Sequence, residues 1–108
     1  MIKNVRNLSI IVALAAAALT AQLAAAEEEF DLTVTNGEIA LVTKGHWHVN
    51  KDYPWKVDAG GTTFDKSKFL FTETSAKLSG VPHGTAKLKG AVCNGPQCMP
   101  FSKEISVQ

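Results

Sequence analysis

No cluster of basic residues marks this 108-residue chain. With Lys3 and Arg6 set apart in the leading segment, eleven basic residues fall to nine against ten acidic ones. A balance so near zero gives no surface for nucleic acid or anionic lipid. Low-complexity stretches and internal repeats are missing, and beyond the leading segment so is helical periodicity. Paired carboxylates, a Ser/His/Asp arrangement and a phosphate-cradling glycine loop are also missing, which leaves hydrolysis and phosphoryl transfer without their usual residues. No cofactor is expected. Cysteine is scarce, with two in the whole chain. Both fall in the stretch "CNGPQC", as Cys93 and Cys98.

The leading segment decides which cysteine chemistry is available. Lys3 and Arg6 are followed by an apolar run from Leu8 to Leu19 and then by small residues ending Ala24-Ala25-Ala26. That order of charged, apolar and small residues is a secretory signal peptide with an AxA-like cut before Glu27. Leu8 to Ala26 is just long enough to span a membrane, but Thr20 and Gln22 interrupt it and alanine is only weakly apolar. Cleavage after Ala26 is therefore expected, with no stable membrane insertion afterwards. Residues 1–26 are the expected leader and residues 27–108 a single domain in the periplasm or outside the cell. Two cysteines close together pair readily in such an oxidising compartment. A domain this small buries only about 60% of its unfolded surface, so a cross-link would help it.

In the mature segment the hydrophobic period is two. Phe30, Leu32 and Val34 alternate with polar residues up to the turn pair Asn36-Gly37, and Ile39 to Val42 follows. Trp47 and Val49 alternate with His46 and His48; Tyr53, Trp55 and Val57 repeat the pattern before Ala59-Gly60-Gly61. Phe69 and Phe71 mark a further strand, and two longer alternating runs centre on Leu88 and Ile105. About seven short antiparallel strands, punctuated by Gly, Pro and Asn, make an all-β immunoglobulin-like β-sandwich the expected fold. Trp47, Tyr53 and Trp55 are expected as core and rim aromatics.

If the last two strands form a hairpin closed by Asn94 to Gln97, Cys93 faces Cys98. The same register sets Val92 against Met99, Gly90 against Phe101 and Ala86 against Ile105 on one face, with Lys89 and Ser102, and Lys87 and Glu104, on the other. Leu88 opposite Lys103 is the single misfit. Opposed residues lie within disulfide reach, and this pair falls on the polar face, so both sulfurs are expected near solvent. Cys93 ends a regular strand that holds its sulfur against the sheet, whereas Cys98 leaves a Gly-Pro loop and Pro100, without an N–H, is expected to loosen the ladder beside it, so Cys98 is expected to be the more approachable sulfur.

Three chemistries remain open for the pair. A structural staple is one, although closing so short a loop is worth only about 2 kcal/mol, against more than about 4 for a link across two sheets. A reactive disulfide is the second; the spacing is not the CxxC of a helix N-terminus, so reactivity would depend on exposure and a partner. Copper carriage is the third, from His46, His48, Cys93, Cys98 and Met99, because soft sulfur with imidazole suits that metal. Against it, "CNGPQCMP" has no histidine after the cysteine, and His46 and His48 are equally a polar strand face. His83 is read as a solvated turn residue.

The segments "GHWHVNKDYPWKV", "HGTAKLKGAV" and "CNGPQCMP" together resemble the N-terminal periplasmic domain of the thiol:disulfide interchange protein DsbD family. The resemblance implies an immunoglobulin-like domain whose Cys93–Cys98 disulfide exchanges reducing equivalents with thioredoxin-like periplasmic proteins or a membrane thiol-disulfide transporter. It places His48, Asn50, Met99 and Pro100 near the pair and makes the second cysteine the one that links to partners. It also implies an aromatic shield over the disulfide, for which Phe64, Phe69 and Phe71 are the candidates. On this reading the chain is a thiol:disulfide oxidoreductase or electron-carrier domain without its own electron source. The alternatives are a secreted β-sandwich binding module with a purely structural disulfide, and a periplasmic copper carrier.

Overall fold

The computed structural model describes residues 22–108, with side chains from Glu27 onward. The expected leader therefore lies outside the described residues except for its last five, which form a strand.

Alternation is enough to build the first sheet. Phe30, Leu32 and Val34 are buried on one face of β2 (Phe30–Thr35), and Ile39 and Leu41 on the matching face of β3 (Glu38–Thr43). Asn36 and Gly37 join the two strands with φ of 49° and 80°. Two consecutive residues of positive φ are what a type I′ hairpin demands, and Asn-Gly supplies them at least cost. β1 (Gln22–Ala26) pairs with the outer side of β2 through four register pairs. On the far side of β3 come β8 (Ser75–Leu78) and then β7 (Leu70–Phe71), giving the order β1-β2-β3-β8-β7.

The second sheet has the order β10-β9-β5-β6. Its members are β5 (Lys56–Ala59), β6 (Thr62–Asp65), β9 (Gly84–Asn94) and β10 (Gln97–Val107). A short β4 (His48–Val49) pairs with the upper part of β9, on the side away from β10. Leaving β1 and β4 aside, four strands face four in the arrangement of an immunoglobulin-type sandwich, with each sheet mixing early and late strands. The only helical piece among the described residues is one 3-10 turn, Lys66–Lys68, capped by the Asp65 carboxylate accepting from the Ser67 N–H. No helix among them is long and apolar enough to cross a membrane.

The core lies between the sheets, with Phe30, Leu32, Ile39, Leu41 and Leu78 from the first and Val57, Leu88, Val92, Ile105 and Val107 from the second. Trp55, 1% exposed, fills its centre. Its ring lies over Gly90, where a built Cβ would stand 2.4 Å from Cζ3. Phe69, Phe71 and Phe101 meet it edge-on, with centroids 5.8, 5.4 and 5.7 Å away. Its indole N–H donates to the Asn50 carbonyl at 2.7 Å, which satisfies the one polar atom this ring buries. Trp47 and Tyr53 pack half-buried at the rim.

Candidate site around the Cys93–Cys98 disulfide

The β9–β10 hairpin runs in the expected register from Gly84 opposite Val107 to Asn94 opposite Gln97. The turn is tighter than expected: Asn94 and Gln97 still pair, so only Gly95 and Pro96 lie outside the ladder. Gly95 takes φ of 61° at the first central position, which is the II′ pattern whose twist suits a hairpin. Leu88 and Lys103 oppose each other as anticipated. Lys103 belongs to an edge strand, so its stem can leave the apolar face and carry the ammonium to the Glu27 carboxylate, with which it pairs.

Cys93 and Cys98 are bonded, with Cα atoms 4.0 Å apart. So close a spacing identifies a non-hydrogen-bonded pair of the antiparallel ladder. Alternation then fixes the rest: Pro100 opposite Ala91, and Ser102 opposite Lys89, are also non-hydrogen-bonded sites. The Pro100 nitrogen therefore points away from β9, and the missing N–H costs the ladder nothing. The expected loosening beside Cys98 does not occur; pairing continues unbroken through Met99, Pro100 and Phe101. On the other side of β9 the Ala91 carbonyl accepts from the Asn50 N–H at 3.0 Å, which agrees with this assignment.

The two sulfurs have unequal environments: Cys98 is the more approachable, as expected, while the solvent contact also expected for Cys93 is missing. Cys98 is exposed, but Cys93 is only 5% exposed. The reason is position in the sheet. β9 is an interior strand, and at this height β10 covers one flank and β4 the other, so Cys93 lies between Cys98 and His48 in a row across three strands. Cys93 and Ala91 are buried yet stand apart from the core cluster, on the outer face of the sheet.

Of the other residues anticipated near the pair, His48 is the direct cross-strand neighbour of Cys93 and half-buried. Asn50 is tied into the scaffold: its N–H goes to Ala91, its carbonyl receives Trp55, and its side-chain oxygen accepts from the Asp52 N–H at 3.0 Å. Pro100 is two residues along the edge from Cys98 and exposed. Met99 alternates to the opposite face, opposite Val92, and packs half-buried against the core.

The copper set is not assembled. β4 spans only His48–Val49, so His46 does not share a strand face with His48; it lies exposed in the turn closed by the Trp47 N–H on the Lys44 carbonyl. Met99 faces away from the sulfurs, and these are bonded to each other. Among the described residues no three His, Cys, Asp or Glu side chains gather to hold a metal. The aromatic shield is also not where it was sought. Phe69 and Phe71 stack on each other at 5.5 Å and pack on Trp55 inside the sandwich, while Phe64 packs against the same core. The sulfurs are on the other face of their sheet.

No family model, curated protein or solved structure matches the chain. The site is therefore judged on its own geometry.

Two groups elsewhere have displaced titrations. The Thr63 hydroxyl, donating at 2.7 Å, holds the Asp58 carboxyl below its ordinary value, with the Lys56 ammonium helping. The Ser67 hydroxyl and N–H do the same for Asp65. Both carboxylates are exposed and belong to the β5–β6 region, away from the sulfurs.

Proposed function

We propose that this chain is an extracytoplasmic thiol-disulfide exchange module, working through Cys93 and Cys98 on thioredoxin-like partners. The observation that carries the reading is the asymmetry of the pair: one sulfur open at a sheet edge, the other shut between two strands. A staple gains nothing from such an arrangement, and a loop this short offers only about 2 kcal/mol of chain-entropy stabilisation. An exchange centre gains an unambiguous point of attack.

The chemistry follows from the geometry. A thiolate of a partner's dithiol attacks Cys98 Sγ; the Cys93–Cys98 bond breaks and Cys93 leaves as a thiolate. That charge forms beside His48, whose imidazole stands one strand away on the same face and can supply a proton or a charge-assisted hydrogen bond. The partner's second thiolate then attacks its own sulfur in the mixed disulfide and releases Cys98. Two electrons have passed from the partner's dithiol, which becomes a disulfide, to this chain, which becomes a dithiol. The reverse sequence oxidises a partner. The signal-peptide pattern supports the compartment, and the family resemblance supports the same division of labour between the cysteines.

The test is trapping. With Cys93→Ala, Cys98 is left without its resolving thiol and accumulates a mixed disulfide with thioredoxin-like proteins in the periplasm, seen on a non-reducing gel after acid quench and alkylation. Cys98→Ala traps far less, because Cys93 stays enclosed. Equal trapping refutes the assignment of Cys98. Absence of any adduct, together with a reduction potential below about −300 mV, favours a structural disulfide in a binding module.

A further inference from the structure

The five residues of β1, Gln22–Ala26, are the end of the expected leader, and a cut after Ala26 removes them from the finished protein. β2 then becomes an edge of its sheet.

Register gives the direction of each backbone group on that edge. Asn36 and Gly37 alone lie outside the β2–β3 ladder, so Thr35 and Glu38 close the hairpin as a hydrogen-bonded pair. Alternation makes Thr33 and Asp31 hydrogen-bonded sites too, and it points the N–H and carbonyl groups of Phe30, Leu32 and Val34 away from β3. Two contacts agree with this. The Glu29 carbonyl, next in the series after Asp31, accepts from the Lys44 N–H, and the Phe30 carbonyl accepts from the Glu27 N–H on the outer side, both at 2.9 Å. Glu27 survives the cut, so Phe30 keeps its bond. Leu32 and Val34 lose Ala25 and Gln22 from across the ladder, and each is left with a free N–H and a free carbonyl.

The other edges of the sandwich are defended in ways this one is not. β10 carries Pro100 and Lys103, and β6 and β7 run for only four and two residues. β2 runs for six with neither proline nor lysine, and its one charge, Asp31, is paired with Lys44 at 3.4 Å. A long, unguarded edge recruits another strand.

We infer that two mature chains pair through β2, antiparallel about a two-fold axis at Thr33. Thr33 then faces Thr33 of the second copy, Leu32 faces its Val34, and Asp31 faces its Thr35. Leu32 and Val34 meet as hydrogen-bonded pairs, which uses the groups that the cut sets free and leaves the Glu27–Phe30 bond in place. The faces also match: Leu32 and Val34 both point to the core, and the threonines and Asp31 lie together on the outer face. No like charges are opposed within the strand, and directly opposed threonines are a favourable cross-strand pair. A two-fold contact of this kind closes on itself, so the product is a dimer and not a fibre. The inference depends on the cut after Ala26 and is independent of the exchange function.

The test begins with the intact mass of the protein secreted from the full chain, which fixes its first residue. That protein is compared with residues 22–108, which keep β1, by light scattering at about 100 μM, where a complex of micromolar Kd is nearly full. The expected result is a dimer for the chain that begins at Glu27 and a monomer for the chain that begins at Gln22. A secreted chain that still carries residues 22–26 overturns the inference, and so does a monomeric chain from Glu27. A chain from Gln22 that dimerises equally well places the contact elsewhere and overturns it too. Thr33→Lys, secreted in the same way, sets two ammonium groups opposite each other on the outer face. Its dimer is expected to be at least tenfold weaker at parental circular dichroism, and an undiminished dimer refutes pairing through β2.

Discussion

Replacing Gly90 with alanine separates a reading of sequence from a reading of structure, because the two give opposite signs. Glycine inside a strand weakens it, and Gly90 does not adopt positive φ, so chain entropy alone has Gly90→Ala stabilising by about 0.4 to 1 kcal/mol. In the fold the added Cβ would stand 2.4, 2.5 and 2.7 Å from Cζ3, Cε3 and Cη2 of Trp55. Carbon atoms rest about 3.5 to 4.0 Å apart, so the ring or the strand must move by roughly 1 Å. The ring is poorly placed to yield: three phenylalanines press its edges, and its N–H is held by Asn50 at 2.7 Å. Overpacking of a tight core costs about 1 to 3 kcal/mol, and a weakened indole hydrogen bond adds up to about 1.5. Set against the entropy gain, the net expectation is a loss of about 2 kcal/mol. For a domain of this size that lowers the melting midpoint by roughly 8 to 16 °C, or moves a urea midpoint leftward at unchanged slope. Placed in a Trp55→Leu background, the same alanine should cost little, and the difference between backgrounds measures the clash. A Gly90→Ala protein as stable as the parent, or more so, refutes this account of the core.

Two further outcomes follow from the same packing. Reducing the disulfide should lower stability by no more than about 2 kcal/mol and leave the protein folded, because the β9–β10 ladder persists beyond the closed loop; unfolding on reduction, read by circular dichroism, would contradict this. Asp58 and Asp65 have folded-state pKa values below their unfolded ones, so their stabilisation is complete above the ordinary carboxylate range and fades as pH falls through the folded values. Thr63→Ala should move the Asp58 titration back up, followed by its side-chain carbon shifts, and leave Asp65 unmoved.

Much of the fold was written in alternation. The β2–β3 hairpin and the two long final strands are amphipathic with period two and end at residues whose backbone preferences force a turn. The strands without that signal were those the sheet imposes. β6 is Thr62 to Asp65, an edge strand whose single apolar side chain, Phe64, shows no alternation; β8 carries only Ala76 and Leu78 as core residues, too few to stand out. β8 nevertheless bridges β3 and β7. β1 lies within a stretch whose composition reads as a leader, so targeting chemistry masks strand pairing there.

The site was legible as far as the hairpin and the greater openness of Cys98, but not the enclosure of Cys93. Facing cysteines and their bond follow from local register, since both partners lie on one continuous hairpin. The enclosure of Cys93 depends on β4, which comes from some 45 residues earlier and reaches β9 only because the chain crosses to it before entering β5. With β4 in place, Cys93 is an interior position and His48 its neighbour. Without β4, both sulfurs would border solvent, as local periodicity suggests. The same topology explains why Pro100 is harmless: a proline at the edge removes an N–H that only a further strand could use. An edge proline of this kind blunts indiscriminate strand pairing, and it does so beside the one sulfur of the pair that solvent can reach.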